Sequence, residues 1–264
     1  MNQQKLELVI AAAIEAGKEI LPTYFGEYKI EIKQDQSPVT EADLMANDII
    51  IKRLGEHFSD IPILSEESEQ QEFSIRKEWK RYFCIDPIDG TKGFISKSGQ
   101  FTINIALIED NFPILGVIYW PVEDILYFAT KGEGAYRVKE GVKEKLPCET
   151  ADPKKLRVVK SKSHLNPETQ EFIVKMQGSG KEIESVSIGS SLKFCMVAEG
   201  SAEVYPRLGP TSEWDTAAAQ CIVEESGGQV LFMDSKKRFS YNKESLLNPH
   251  FLVLGPDYLD LFTT

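Results

Sequence analysis

The sequence is short of the residues that disulfide and soft-metal chemistry need. It holds four cysteines, Cys84, Cys148, Cys195 and Cys221, with no Cys-x-x-Cys pair and no histidine pairing. Cys84, Cys195 and Cys221 stand among apolar residues and read as buried thiols, which points to a reducing cytoplasm rather than secretion. Positive charge is also scarce: 30 Lys and Arg against 41 Asp and Glu give a net charge of −11. A generic nucleic-acid binder is basic, so polymeric DNA or RNA is not expected as a partner. A small anionic substrate is still allowed, because bound cations invert the local sign. No apolar run reaches about 18 residues, so no transmembrane segment is expected. The polar start Asn2-Gln3-Gln4 is unlike a signal peptide. No internal repeat or low-complexity segment is present.

What is present is an ordinary globular composition, 42% hydrophobic and 27% charged over 264 residues. That length fits one large domain or two modest lobes, with a core that needs no disulfide. Apolar residues from Leu6 to Leu21 recur at helical spacing, and Pro22 is expected to stop that helix. Tyr28 to Lys33 alternates like a strand. Thr40 caps a helix from about Glu41 to Leu54, and Ile61 to Leu64 is a short strand ending at Ser65-Glu66-Glu67. A β-rich block follows: Arg81 to Ile85, Phe101 to Ile108, Ile114 to Trp120, Ile125 to Thr130 and Ala135 to Val138. The charged segment from about Lys139 to Lys155 is the expected lobe boundary. Beyond it strands at 156–160, 183–188, 203–205, 229–233 and 251–254 mix with helices at 167–176, 191–199 and 215–226. The expected fold is α/β, an α+β lobe over 1–150 followed by an α/β lobe over 151–264.

The chemistry concentrates in carboxylates at element ends. The run Cys84-Ile85-Asp86-Pro87-Ile88-Asp89-Gly90-Thr91 closes an apolar strand with two acids. The proline fixes the turn, and the Ile88 carbonyl lies between the acids as a further oxygen donor. Gly90-Thr91 can open a helix whose free N–H groups face a phosphate. Asp43 falls on the apolar side of its helix with Asn47, Ile50 and Leu54, where a carboxylate needs a partner. Each feature alone has a plain alternative: an Asp-capped turn, a first-turn Asp, a solvated Glu66-Glu67 pair, an N-cap at Asp215. All four segments in one chain and in this order read as an oxygen-only cage for a hard cation such as Mg²⁺.

Val39-Thr40-Glu41-Ala42-Asp43, Leu64-Ser65-Glu66-Glu67-Ser68, Asp86-Pro87-Ile88-Asp89-Gly90-Thr91 and Trp214-Asp215-Thr216-Ala217-Ala218 resemble the inositol-monophosphatase-like superfamily of lithium-sensitive phosphatases. The similarity runs from the first helix to about Asn248. It implies the layered αβαβα sandwich of inositol monophosphatase and fructose-bisphosphatase. It also implies two or three Mg²⁺ ions held by Glu66, Asp86, the Ile88 carbonyl, Asp89 and Asp215, with Glu67 in a less direct acidic position. Asp43 and Thr91, together with Glu66, would orient and deprotonate the attacking water. A narrower resemblance, to the bacterial 3′(2′),5′-bisphosphate nucleotidases of the CysQ group, comes from Ser161 to His164, Gly189 to Cys195, Ala198 to Gly200 and Tyr205 to Thr211. It implies hydrolysis of 3′-phosphoadenosine 5′-phosphate to AMP in sulfur assimilation, with 3′-phosphoadenylyl sulfate as a second substrate. The remote phosphate and ribose would then be read by Lys193, Arg207 and the Gly189-Ser190 turn, and the adenosine by Ser163 and His164. Gly90, Thr91 and Asp215 would also touch the substrate. Gly93 departs from the acidic or bulkier residue often found there. The alternatives are an inositol monophosphatase or related sugar phosphatase and, more remotely, a non-catalytic cation-binding regulator. Monomer or homodimer, and peripheral association with the cytoplasmic face of the inner membrane, are left open.

Overall fold

In the computed structural model, a seven-stranded sheet runs through the first half of the chain. Residues 3–32, 38–161, 167–177, 180–256 and 258 are described. The sheet holds β3 (Ile63–Ser65), β4 (Arg81–Asp89), β5 (Thr102–Glu109), β6 (Phe112–Trp120), β7 (Ile125–Thr130), β8 (Gly134–Lys139) and β9 (Val142–Lys145), side by side in that order; β1 (Ile30–Ile32) and β2 (Pro38–Thr40) form a separate hairpin. Within the large sheet, β3 and β4 pair in parallel and the other neighbours are antiparallel. β5 is buried along nearly its whole length because both faces are covered. Its Ile103, Ile105 and Leu107 join one core, and its Ala106 and Ile108 join another. This is the period-two alternation of a strand.

The helices α1 (Gln3–Phe25) and α2 (Glu41–His57) cover the first face. Pro22 does not stop α1. It lies in the last turn, where it removes one i→i−4 bond while the chain keeps its helical course to Phe25, and the Gly26 N–H still reaches the Pro22 carbonyl. The opposite face is covered by α7 (Glu213–Glu225), a helix from the far end of the chain. Its approach is close: a Cβ on Gly116 of β6 would lie 2.2 Å from the Ala218 carbonyl oxygen. A glycine facing the run Ala217-Ala218-Ala219 lets helix and sheet meet at that distance.

A second sheet has the order β11 (Glu182–Ile188), β10 (Lys155–Ser161), β12 (Val204–Arg207), β14 (Phe251–Leu254), β13 (Gln229–Phe232). One face packs toward α6 (Leu192–Glu199) and α7, and the other toward α5 (Pro167–Met176). The layers are therefore helix, sheet, helix, sheet, helix, as expected. β9 is a strand inside the segment expected as a boundary. Its residues Val-Lys-Glu-Lys carry no strand-like alternation, and charged residues suit an exposed sheet edge. Cys84, Cys195 and Cys221 are buried free thiols.

Candidate metal and phosphate site

The site begins with an irregularity in β4. Asp86 pairs with Asn104 and Asp89 with Thr102, so β4 carries one residue more than β5 over this stretch. The extra residue is a bulge, and a bulge tolerates the missing N–H of Pro87. It also reverses the strand's faces. Before it, Phe83 and Ile85 point to the α1/α2 core, and Tyr82 and Cys84 to the α7 side. After it, Ile88 joins the α1/α2 core. Asp86 and Asp89, three residues apart, thus come to the same side, which a regular strand forbids.

Asp215 reaches them from α7. That helix starts at Glu213, two residues before the start expected, with Ser212 as its N-cap, so Asp215 stands at the third helical position and is not the N-cap of the plain alternative. Its Oδ2 accepts the Ser212 N–H at 2.8 Å. One oxygen each of Asp86, Asp89 and Asp215 lies within 4.8 Å of the others. Glu66 follows β3 and lines the same cleft, whereas Glu67 is not among the lining residues. The Ile88 carbonyl oxygen lies 3.4 Å from Thr91 Oγ1, at the edge of the same cleft.

The electrostatics are those of crowded, desolvated acids. Burial, then Glu66, Asp89 and Asp215, pushes the Asp86 carboxyl well above the usual range. Burial, then Asp89 and Glu66, pushes Asp215 to about 7. Asp89 is raised by burial and partly restored by Lys193. Among the described residues, both oxygens of Asp86 are buried with no N–H or hydroxyl donor, and the group they face is the neighbouring carboxyl of Asp215. Orphaned carboxylate oxygens in an all-oxygen cluster fit a hard divalent cation such as Mg²⁺.

Beside the cluster, Thr91 opens the short helix α4 (Thr91–Ile95), with Gly90 as N-cap at φ 98°. A Cβ on Gly90 would lie 2.8 Å from the Gln100 carbonyl oxygen, and one on Gly93 2.4 Å from it. Gly93 therefore has no room for the larger residue often found there. Thr91 Oγ1 donates to Asp43 Oδ1 at 3.2 Å. Asp43 is buried in the first turn of α2, and its Oδ2 accepts from the backbone N–H and the hydroxyl of Thr40 at 2.7 and 2.6 Å. Burial raises its carboxyl above the ordinary value.

The cleft has a volume of about 560 Å³, and its far wall comes from the second half of the chain. Gln100 Oε1 accepts the Gly189 N–H at 3.0 Å, and Ser190 follows in a left-handed conformation at φ 49°. Lys193 is buried, donates to the Ser190 carbonyl, and is pushed down to about 8 by burial. Its charge acts on Asp89, and it also faces Arg207. Arg207 donates from Nη2 to the Pro210 carbonyl at 2.7 Å, and its buried Nε has no partner among the described residues. Ser163 and His164 lie outside the described residues. Sequence reasoning missed Gln100, Asn104 and Tyr205; polar or aromatic residues inside strands and turns carry no spacing signal.

The model of the inositol monophosphatase family matches residues 1–256, and the chain belongs to that family. Within it the chain is similar to particular nucleotidases. It is 44% identical over 250 residues to the 3′(2′),5′-bisphosphate nucleotidase CysQ of Salmonella typhimurium, covering 94% of this chain and 98% of that one. Identity to CysQ of Haemophilus influenzae is 35% over 263 residues, covering 98% and 96%. The crystal structure of CysQ from Bacteroides thetaiotaomicron superposes with a TM-score of 0.87 at 40% identity, over 96% of this chain and 98% of that one.

Proposed function

We propose that this chain is a Mg²⁺-dependent phosphatase that removes the 3′-phosphate of 3′-phosphoadenosine 5′-phosphate, giving AMP and phosphate. The observation that carries the reading is one cleft lined by both signs of charge. Asp86, Asp89 and Asp215 crowd together, and the cations Lys193 and Arg207 line the same cleft, with Lys193 close enough to act on Asp89. The similarity to named bisphosphate nucleotidases supports the nucleotide over an inositol phosphate.

Residues 1–150 supply Glu66, Asp86, the Ile88 carbonyl, Asp89, Asp43 and Thr91, and residues 151–264 supply Asp215, Lys193 and Arg207. Bound Mg²⁺ supplies Lewis acidity toward the phosphate oxygens and toward water. The protein supplies direction. Thr91 donates its one hydroxyl hydrogen to Asp43, so its oxygen is left to accept from a water in the cleft. Asp43, held by Thr40, takes up the proton that the water loses through Thr91. No covalent nucleophile is needed, because phosphoryl transfer is chiefly positioning and charge stabilisation.

Phosphate release from 3′-phosphoadenosine 5′-phosphate and from inositol 1-phosphate, each with Mg²⁺ and with chelator, tests the reading. Mg²⁺-dependent preference for the nucleotide is expected. Full activity after exhaustive chelation overturns the metal; preference for inositol 1-phosphate overturns the substrate. 3′-Phosphoadenylyl sulfate is the second nucleotide to assay.

A further inference from the structure

Two segments far apart in sequence meet behind Asp89. Thr102 and Asn104 lie on β5, and Ser191, fully buried, is the N-cap of α6. The Thr102 and Ser191 hydroxyls are 2.8 Å apart. Ser191 Oγ lies 3.0 Å from Asn104 Oδ1, and Asn104 Nδ2 lies 3.4 Å from Asp89 Oδ2. The Ser191 backbone N–H also faces Asp89 and favours its charged form.

With Asp89 as a carboxylate, the direction of every bond in this chain is forced. A carboxylate only accepts, so the Asn104 NH₂ must face it and turn its carbonyl oxygen to Ser191. That oxygen only accepts, so the Ser191 hydrogen points to it. Thr102 must then donate to Ser191. All the hydrogens from Thr102 through Ser191 and Asn104 point toward Asp89. Asp86, in the same cluster, receives no such bond.

We infer that Asn104 and Ser191 are positioning residues for Asp89. The Asn104 amide commits Oδ2 to the protein and leaves Oδ1 for the cation. Because Ser191 belongs to the turn that lines the far wall, that wall and the carboxylate are held in one register. The inference rests on reading Asp89 as a metal ligand.

The test titrates Mg²⁺ alone into metal-free protein by calorimetry and follows melting in parallel. Asn104→Leu is expected to raise the Mg²⁺ dissociation constant roughly 10–100-fold, the usual cost of losing a group that orients a ligand. Ser191→Ala and Thr102→Val act in the same direction, and Thr102→Ser, which keeps the hydroxyl, restores wild-type affinity. The variants should recover most of their phosphatase rate at saturating Mg²⁺. Lower melting temperatures with unchanged Mg²⁺ affinity overturn the proposal, since a merely structural chain would give that result. If Asn104→Leu does not fold, the Thr102→Val and Thr102→Ser pair decides alone. Asp89→Asn separates the two layers of the argument. If it binds Mg²⁺ like wild type, the ligand reading falls and takes the proposal with it. If it loses Mg²⁺ while Asn104→Leu and Thr102→Val do not, only the positioning role falls.

Discussion

Asp43 and Asp215 occupy the same place in two capping boxes, each the third residue of its helix and each accepting the N-cap backbone N–H through Oδ2. The cap residues are Thr40 and Ser212. A helix start thus fixes both carboxylates, and in each the second oxygen is the one available for chemistry. The two then diverge. Asp43 Oδ1 takes the Thr91 hydroxyl, whereas Asp215 joins the acid cluster.

Asp43→Asn and Thr91→Ala are therefore expected to lower kcat more than Mg²⁺ affinity. General-base contributions are about 10²–10⁴-fold. The asparagine amide keeps an oxygen for the cap, so the fold should survive. Turnover measured across a Mg²⁺ titration checks this. A variant that regains the wild-type rate at high Mg²⁺ would be a metal-site defect.

The acid cluster predicts how the metal-free protein responds to pH. Asp215 ionises near 7 in the folded state against an ordinary 3.8, and Asp86 and Asp89 are also raised. Through this window the folded chain holds more protons than the unfolded one, so these groups cost stability as pH rises. Their protonated forms contribute fully below the unfolded value, and that contribution is gone once pH passes the folded one. The expected result is a melting temperature for Asp215→Asn that exceeds wild type at about pH 8 and converges with it toward about pH 4. Scanning calorimetry of both proteins without metal measures the difference. A loss of stability in Asp215→Asn at the higher pH would mean that the carboxylate matters chiefly as a cap.

Gly116→Ala tests the joint between α7 and the first sheet. The added methyl would sit 2.2 Å from a backbone carbonyl, which cannot rotate away. Overpacking of this kind costs about 1–3 kcal/mol. Because α7 carries Asp215, weaker Mg²⁺ binding should accompany the lower melting temperature. An unchanged melting temperature would show that the helix can shift at no cost.

The carboxylates are legible in the sequence because proline, glycine and paired acids at strand ends mark a turn with a charge that needs a partner. The apolar side of α2 announces Asp43 in the same way, since Asn47, Ile50 and Leu54 are buried beside it. Less legible is how Asp86 and Asp89 reach one face: the bulge inverts the alternation, and an Asp-Pro-Ile-Asp run does not reveal which residue is extra. The true cap at Ser212 is hidden because Asp215 is itself a good cap residue. The buried link from Ser191 to Asn104 spans 87 residues, and no local pattern encodes it.

Lys193 and Arg207 read alike in the sequence, and their surroundings separate them. Lys193 is buried on the Ser190 carbonyl and acts on Asp89. Arg207 keeps a buried Nε with no partner among the described residues, in the wall of the cleft. A buried unpaired donor on a cation fits a ligand anion, and hydrogen bonds to charged groups are worth about 1.5–3 kcal/mol. Arg207→Ala should therefore reduce kcat/KM for 3′-phosphoadenosine 5′-phosphate by about 10- to 150-fold and leave 3′-AMP, which lacks the second phosphate, nearly unchanged. Lys193→Ala should impair both nucleotides, because it removes a positive charge beside Asp89 as well as one from the cleft. The ratio of kcat/KM for the two substrates in each variant is the measurement. Equal losses for both nucleotides in Arg207→Ala would remove Arg207 from the remote phosphate. Selective loss in Lys193→Ala would place that phosphate against the lysine instead.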